Sequence, residues 1–116
     1  RRGRLAQYYS LQLNDLDIQL PTIRSQSESV YHLFVIQVNN RDELIESLKK
    51  ENIYLGIHYP VPVHLQPAYK NRILKSNDLN VTESIVSKIV SLPIYPELGE
   101  GNARKVVNAI EYFQNN

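Results

Sequence analysis

The side chains best suited to chemistry are concentrated in one stretch, residues 56–69. Along with three prolines, it contains two histidines, two tyrosines and a glutamine: His58, Tyr59, His64, Gln66 and Tyr69. Because proline fixes φ and restricts the unfolded chain, polar side chains on such a loop are ordered at small entropic cost. Imidazole, phenol and carboxamide groups supply donors and acceptors that match sugar hydroxyls or phosphate oxygens. The stretch predicts a binding loop, and a rigid surface loop without a binding role is the open alternative.

Other kinds of site find little support in the residues. The three histidines, at positions 32, 58 and 64, lack the spacing of a helical metal-binding pair, and no nearby carboxylate completes a ligand set. The hydrolase motif G-x-S-x-G is absent, and a chain without cysteine has no disulfide or thiolate nucleophile. Residues 98–105 are glycine-rich and open a predicted helix, but they match no phosphate-binding motif, and Glu100 would repel an anion. We expect no metal site.

Length and charge set the class of protein. With 116 residues, the chain fits a single domain over residues 1–116. Its 13 Lys and Arg against 12 Asp and Glu give a net charge of +1, which argues against nucleic-acid binding. No apolar run reaches the roughly 18 residues of a membrane span, and no targeting signal opens the chain. We expect a soluble, cytoplasmic domain; the absence of Met and the start at Arg1 predict that it is a fragment of a longer protein.

Hydrophobic periodicity predicts four helices. Apolar residues face one side of a helix over residues 2–14. Asn40 caps a second helix, whose end charges oppose the helix dipole, and Asn52 is a left-handed stop. Asn80 with Glu83 predicts the cap of a third, short helix. A clean amphipathic helix at the C-terminus would bury Ala103, Val106, Val107, Ile110 and Phe113.

Three predicted strands alternate with these helices, at residues 30–38, 53–59 and 89–92. The first is apolar on both faces except at His32 and Gln37, as in a strand inside a sheet, and prolines end the other two. This order predicts an α/β (α+β) fold, a two-layer sandwich of a small three-stranded sheet with helices mainly on one face. A right-handed crossover makes the first two strands parallel if they are neighbours, whereas an intervening strand would allow a mixed or antiparallel sheet.

The same loop carries a resemblance to a known family. Residues 56–69 resemble the small-domain signature of the DegT/DnrJ/EryC1/StrS family of pyridoxal-phosphate-dependent sugar aminotransferases, and residues 91–98 resemble its second C-terminal signature. Further matches lie in the opening helix and around the first predicted strand: Arg1, Arg2, Ala6, Tyr9, residues 32–36 and Arg41. The resemblance covers nearly the whole chain in the family's order.

The resemblance implies the C-terminal small domain of a fold-type I enzyme. Such an enzyme transaminates a keto-sugar attached to a nucleoside diphosphate, with glutamate or glutamine as amino donor and pyridoxal phosphate as electron sink. Family members are homodimers, and their products enter surface polysaccharide, lipopolysaccharide or antibiotic sugars. A dehydratase of the same family, with a histidine in place of the lysine, remains open.

The resemblance also assigns the site residues. The Schiff-base lysine, the carboxylate facing the pyridine nitrogen and the phosphate-binding residues belong to the family's N-terminal large domain, which this chain lacks. None of its lysines lies in the family's lysine motif: Lys49, Lys50, Lys70, Lys75, Lys88 and Lys105. We therefore expect no catalytic residue, no bound pyridoxal phosphate and no transaminase activity in this chain alone. The implied substrate contacts are His58 and Tyr59, with His64 and Gln66.

Two alternative functions come from other classes. A stand-alone small-ligand-binding or regulatory α/β module would explain the size of the chain and its lack of catalytic groups. A DNA-binding regulator is disfavoured by the near-zero net charge and by the absence of a basic stripe on any predicted helix.

Overall fold

The computed structural model of the chain describes residues 1–69, 71–72 and 78–116. Within these ranges the elements are α1 (Arg2–Gln12), β1 (Phe34–Gln37), α2 (Arg41–Lys49), a 3₁₀ helix (Val63–Leu65), α3 (Asn80–Ile85), β2 (Ile89–Leu92) and α4 (Gly99–Asn115). None of the helices in the described ranges combines the length and the apolar character needed to cross a bilayer. The order of helices and strands is the predicted one, apart from the segment at residues 53–59.

In the described part of the chain, the sheet contains two strands rather than the predicted three. β1 and β2 pair antiparallel, with Phe34 opposite Leu92. The segment at 53–59 contributes only one bridge, at Gly56, which pairs antiparallel with Ser91. The prediction of a third strand is wrong because the chain turns away after this bridge into a segment whose prolines cannot donate to a ladder.

The pairing order follows from these bonds. β2 lies between β1 and the bridge at Gly56, and both pairings are antiparallel. The segment around Gly56 therefore runs in the direction of β1 without being its neighbour. A single bridge between Gln19 and Gln37 extends the other side of β1. Of the two arrangements that the sequence left open, the one with an intervening strand is observed.

One hydrophobic core joins the sheet to three helices. Phe34 and Ile36 project from one face of β1 and are fully buried among residues of α1, α2 and α4. The ring of Tyr9, on α1, lies with its centroid 5.3 Å from that of Phe34. The apolar face predicted for α4 is buried in this core, with Phe113 partly buried at its end. Helices packed on one face of a small sheet confirm the predicted α+β sandwich.

Local differences from the predicted elements have conformational causes. The predicted strand at 30–38 is shorter because Tyr31 has a positive φ of 48° and Val30 is 81% exposed. Asn52 is left-handed, with φ of 61°, as predicted for the end of α2. Asn40 is the N-cap residue of α2 but makes no side-chain capping bond, and Asn80 is the first residue of α3 rather than its cap.

Two polar contacts fix the ends of β2 to the helices. The Tyr9 hydroxyl donates to the carbonyl of Pro93 at 2.8 Å, and burial, with smaller contributions from Tyr95 and Tyr8, raises the pKa of Tyr9 well above its ordinary value. At the other end, Arg41 donates from Nη1 to the carbonyl of Val86 at 2.7 Å. Both ends of β2 are therefore tied to α1 and α2.

We predict that Tyr9→Phe destabilises the chain by about 1 kcal/mol, because the Pro93 carbonyl loses its donor inside the protein. Since folding raises the pKa of Tyr9, the unfolded chain loses this proton first and wild-type stability falls as pH rises above about 10. Tyr9→Phe lacks this phenol and shows no fall from its ionisation. The difference in unfolding free energy between wild type and Tyr9→Phe should therefore narrow in urea titrations at alkaline pH. Tyr112→Phe, at a side chain that is 66% exposed, is the control. Equal effects of both substitutions would contradict this role.

Candidate functional site

The predicted binding loop leaves the sheet at a fixed histidine. His58 Nδ1 and Ser91 Oγ are 2.9 Å apart and share a hydrogen bond, and Ser91 is only 5% exposed within β2. The imidazole lies over Gly56, where an added Cβ would come within 2.7 Å of the His58 Cε1 atom. Only glycine therefore accommodates the ring in this position. We call Gly56, His58 and Ser91 the His58 site.

The contact with Ser91 leaves one ring nitrogen for a ligand. The hydrogen bonds among the described residues engage His58 only through Nδ1, and His58 itself is exposed. If the serine hydroxyl donates to Nδ1, Nε2 carries the proton and is a donor; if Nδ1 donates, Nε2 is an acceptor. In both tautomers the ring orientation is fixed before any ligand binds.

Tyr59 extends this exposed surface. Its ring is edge-on to that of His58, with centroids 5.5 Å apart and planes at 83°, and the two residues are joined by a cis peptide bond. The side chain of Tyr59 is 71% exposed. An exposed phenol beside a fixed imidazole offers two polar groups to a ligand.

His64 lies elsewhere, at the contact between the 3₁₀ helix and α3. Its Nε2 is 2.8 Å from Oε1 of Glu83, and the side chains of His64 and Glu83 are 10% and 40% exposed. The imidazole of His64 is thus largely enclosed, in contrast to that of His58. This contact joins residues 19 positions apart in the sequence.

A mainly apolar cleft of about 280 Å³ separates the loop from α3 and β2. It is lined by Tyr59, Val61, Pro62, Val63, Gln66, Thr82, Ile85, Val86 and Ile89. The structure therefore brings Tyr59 and Gln66 to one cleft, whereas His58 and His64 are not part of its lining. The four predicted contact residues share the loop but not a single pocket.

Three residues that support the histidines were not predicted as site residues. Ser91 is the one polar residue in an otherwise apolar strand, and that exception is a signal the sequence offered. Gly56 is the first residue of the predicted loop, and its type alone does not indicate that a histidine ring lies over it. Glu83 was assigned to helix capping, and nothing local in the sequence shows that it faces His64.

The described residues do not form a metal site, since no group of three His, Asp or Glu side chains among them could hold an ion. Pyridoxal phosphate needs an enclosed lysine beside groups for its ring and phosphate. Lys49 on α2 and Lys50 just after it are exposed, and the exposed Lys105 of α4 lines a cleft of about 570 Å³ together with Tyr54 and Tyr95. Lys70 and Lys75 lie outside the described residues. Lys88 lines a polar cleft of about 290 Å³ in which no aromatic side chain could stack on the pyridine ring. We assign no catalytic step to these residues.

Comparison with known proteins identifies relatives of this arrangement. The profile of the DegT/DnrJ/EryC1/StrS aminotransferase family matches residues 1–111. The chain is 39% identical over 112 residues to the erythromycin biosynthesis sensory transduction protein EryC1 of Saccharopolyspora erythraea, covering 96% of this chain and 31% of that protein. It is 39% identical over 111 residues to the dTDP-3-amino-3,4,6-trideoxy-alpha-D-glucose transaminase of Streptomyces venezuelae, covering 95% and 29%. The chain thus spans just under a third of these curated relatives.

Solved structures match over the whole described fold. The chain is similar to Streptomyces venezuelae DesV, solved in complex with a ketimine intermediate, with a TM-score of 0.93 and 37% identity over 100% of this chain and 32% of that one. A DegT DnrJ EryC1 StrS aminotransferase from Brucella abortus matches with a TM-score of 0.92 and 35% identity, over 99% and 31%. The fold is that of the C-terminal domain of fold-type I aminotransferases, as predicted. This chain therefore belongs to the DegT/DnrJ/EryC1/StrS aminotransferase family.

Proposed function

We propose that this chain is the substrate-facing C-terminal domain of a pyridoxal-phosphate-dependent aminotransferase that acts on a nucleotide-linked keto-sugar. The names of its relatives support this class, among them the UDP-N-acetyl-3-dehydro-alpha-D-glucosamine 3-aminotransferase of Acidithiobacillus ferrooxidans, which is 34% identical over 109 residues. In this proposal the full-length protein is a cytoplasmic homodimer that takes its amino group from glutamate or glutamine. Its product enters polysaccharide, lipopolysaccharide or another amino-sugar pathway.

The His58 site is the observation that carries this proposal. The imidazole is held by Ser91 and fitted over Gly56, and Nε2 remains to bind a ligand oxygen. A ring that is already oriented loses less conformational freedom on binding than a free side chain would. We therefore propose that His58 donates to, or accepts from, a sugar hydroxyl, or donates to a phosphate oxygen of the substrate.

The other predicted contacts take different parts in this proposal. Tyr59 and Gln66 line the cleft beside His58, where a phenol and a carboxamide could bind polar groups of the sugar nucleotide. His64 is largely enclosed with its Nε2 on Glu83, so we assign it to support of the loop rather than to substrate.

In this proposal the chain binds and orients substrate and moves no proton. Pyridoxal phosphate, when bound by the large domain of the full-length enzyme, supplies the electron sink of transamination. Closure of the small domain over the substrate would place His58 and Tyr59 at the mouth of the active site and exclude water from it.

The first prediction from this proposal concerns His58→Ala in the full-length enzyme. Loss of one hydrogen bond to the sugar nucleotide should raise its KM about tenfold, while the half-reaction with the amino donor keeps its rate. His32→Ala is the matched control, because His32 is also exposed but lies outside the loop. Unchanged kinetics in both half-reactions, or equal losses in both, would remove His58 from substrate binding.

A second prediction tests the fit of the ring over Gly56. Gly56→Ala should raise the same KM, because the new Cβ would displace the imidazole from Ser91. In a His58→Ala background Gly56→Ala should add little, since the ring it displaces is gone. Gly101→Ala introduces a Cβ into open space and is the control. Full additivity of the two substitutions would contradict this account of the site.

A third prediction concerns the isolated 116-residue chain. Incubation with pyridoxal phosphate followed by borohydride should give no stoichiometric modification of a single lysine, measured by mass spectrometry of tryptic peptides. One lysine modified in every molecule would show that the chain holds the cofactor by itself.

A regulatory module is the second candidate function. It is favoured by the names of two relatives, EryC1 and the pleiotropic regulatory protein of Geobacillus stearothermophilus, which is 37% identical over 84 residues. The two candidates differ in turnover. Formation of an amino sugar from sugar nucleotide and glutamate by the full-length protein supports the enzyme, whereas binding without turnover supports the regulator.

A further inference from the structure

The loop that carries His58, Tyr59 and Gln66 has few bonds to the rest of the molecule. We call residues 57–69 the proline loop. Backbone hydrogen bonds made by its described residues stay local: Leu65 to Pro62, Gln66 to Val63, Tyr69 to Gln66 and Arg72 to Tyr69. The backbone pair that attaches it to the sheet lies just before it, between Gly56 and Ser91. Its position beyond that pair depends on side chains.

Two side-chain hydrogen bonds in the described part of the chain connect the proline loop to its surroundings. One is His58 to Ser91, close to the start of the loop. The other is His64 to Glu83, which joins the loop to α3, and residues of both segments line the cleft. Among the described residues, the second contact is the one side-chain hydrogen bond between the loop and α3.

We propose that Glu83 is a positioning residue: by holding His64 it fixes the proline loop, and with it Tyr59 and Gln66, in the geometry that receives the sugar nucleotide. This inference rests on the proposed function and assigns to Glu83 a part beyond it. Glu83 acts through His64 and touches no substrate.

The geometry of the pair suits this role. A separation of 2.8 Å is that of a well-formed hydrogen bond, and the 10% exposure of the His64 side chain limits competition from water. Glu83 is the one acidic residue of α3, so no neighbour on that helix can replace it. Ser84, the next residue, bonds to the carbonyl of Val81 on its own helix. The contact therefore has no substitute within α3.

The enclosed position of the ring also separates His64 from His58. Val63 and Leu65, on either side of His64, are 62% and 40% exposed, while the imidazole between them is turned inward to Glu83. The 3₁₀ helix thus exposes its apolar side chains and encloses its polar one, the reverse of what solvation alone would favour. The hydrogen bond to Glu83 offsets the cost of enclosing the imidazole of His64.

The test uses the full-length enzyme with five variants. Glu83→Ala should raise KM for the sugar nucleotide about five- to tenfold and leave the amino-donor half-reaction unchanged. Glu83→Gln keeps an acceptor at the same position and should restore KM to within about twofold of wild type. His64→Ala breaks the same contact from the other side and should match Glu83→Ala, with no further loss in the double variant. Glu46→Ala, at an exposed glutamate of α2, is the matched control.

Hydrogen exchange measured by mass spectrometry provides a readout that needs no turnover. Amides of the peptide covering residues 57–69 should exchange faster in Glu83→Ala and His64→Ala than in wild type, and at the wild-type rate in Glu83→Gln. An unchanged KM in both alanine variants, a loss that Gln does not repair, or unchanged exchange would each overturn the inference. A wild-type enzyme without sugar-nucleotide turnover would instead refute the proposed function, while the exchange data still test the contact.

Discussion

The paired backbone bonds between Gly56 and Ser91 are the constraint on which the rest of the site depends. Each residue donates to the other, at 3.1 Å and 2.7 Å, at the edge of β2. The same serine then binds His58 through its hydroxyl, so one buried residue fixes both the backbone and the first of the predicted contact residues. The missing side chain of Gly56 leaves the space that the imidazole occupies. A change at either residue would alter the direction in which the loop leaves the sheet.

The hydrophobic core holds β2, and with it Ser91, in a fixed position. β2 is paired along its length with β1, whose Phe34 and Ile36 lie in the hydrophobic core. Tyr9 holds the chain just after β2, and Arg41 holds the turn before it. Binding residues on a loop are useful when a rigid scaffold sets where the loop begins, and here the scaffold is one short strand with both ends tied. Through these bonds α1 and α2 support the site by way of β2.

Patterns local in the sequence predicted most of the elements. The periodicity of α4, the apolar run of β2 and the left-handed residue at Asn52 were all read from neighbouring residues, and each is observed. The third strand was wrong because pairing of residues 53–59 depends on which edge of β2 is free and on where the prolines turn the chain. Both depend on tertiary structure, which cannot be predicted from the alternation of apolar residues in one segment.

The sequence predicts which loop carries the candidate site, but not which residues the two histidines contact. Residue types placed His58, Tyr59, His64 and Gln66 on one loop, but they gave the two histidines the same role. Their surroundings differ because Ser91 and Glu83, which lie 33 and 19 residues away, hold one ring at the surface and enclose the other. Partners at that distance are brought together by the fold, so no spacing rule could have found them.

A crystal structure of the full-length enzyme with its sugar nucleotide bound is the most direct test of the His58 site. We predict that His58 Nδ1 is hydrogen-bonded to Ser91 Oγ and that Nε2 lies about 3 Å from a hydroxyl or phosphate oxygen of the substrate. A substrate bound out of reach of the proline loop, or an imidazole turned away from Ser91 toward the protein interior, would contradict the central claim.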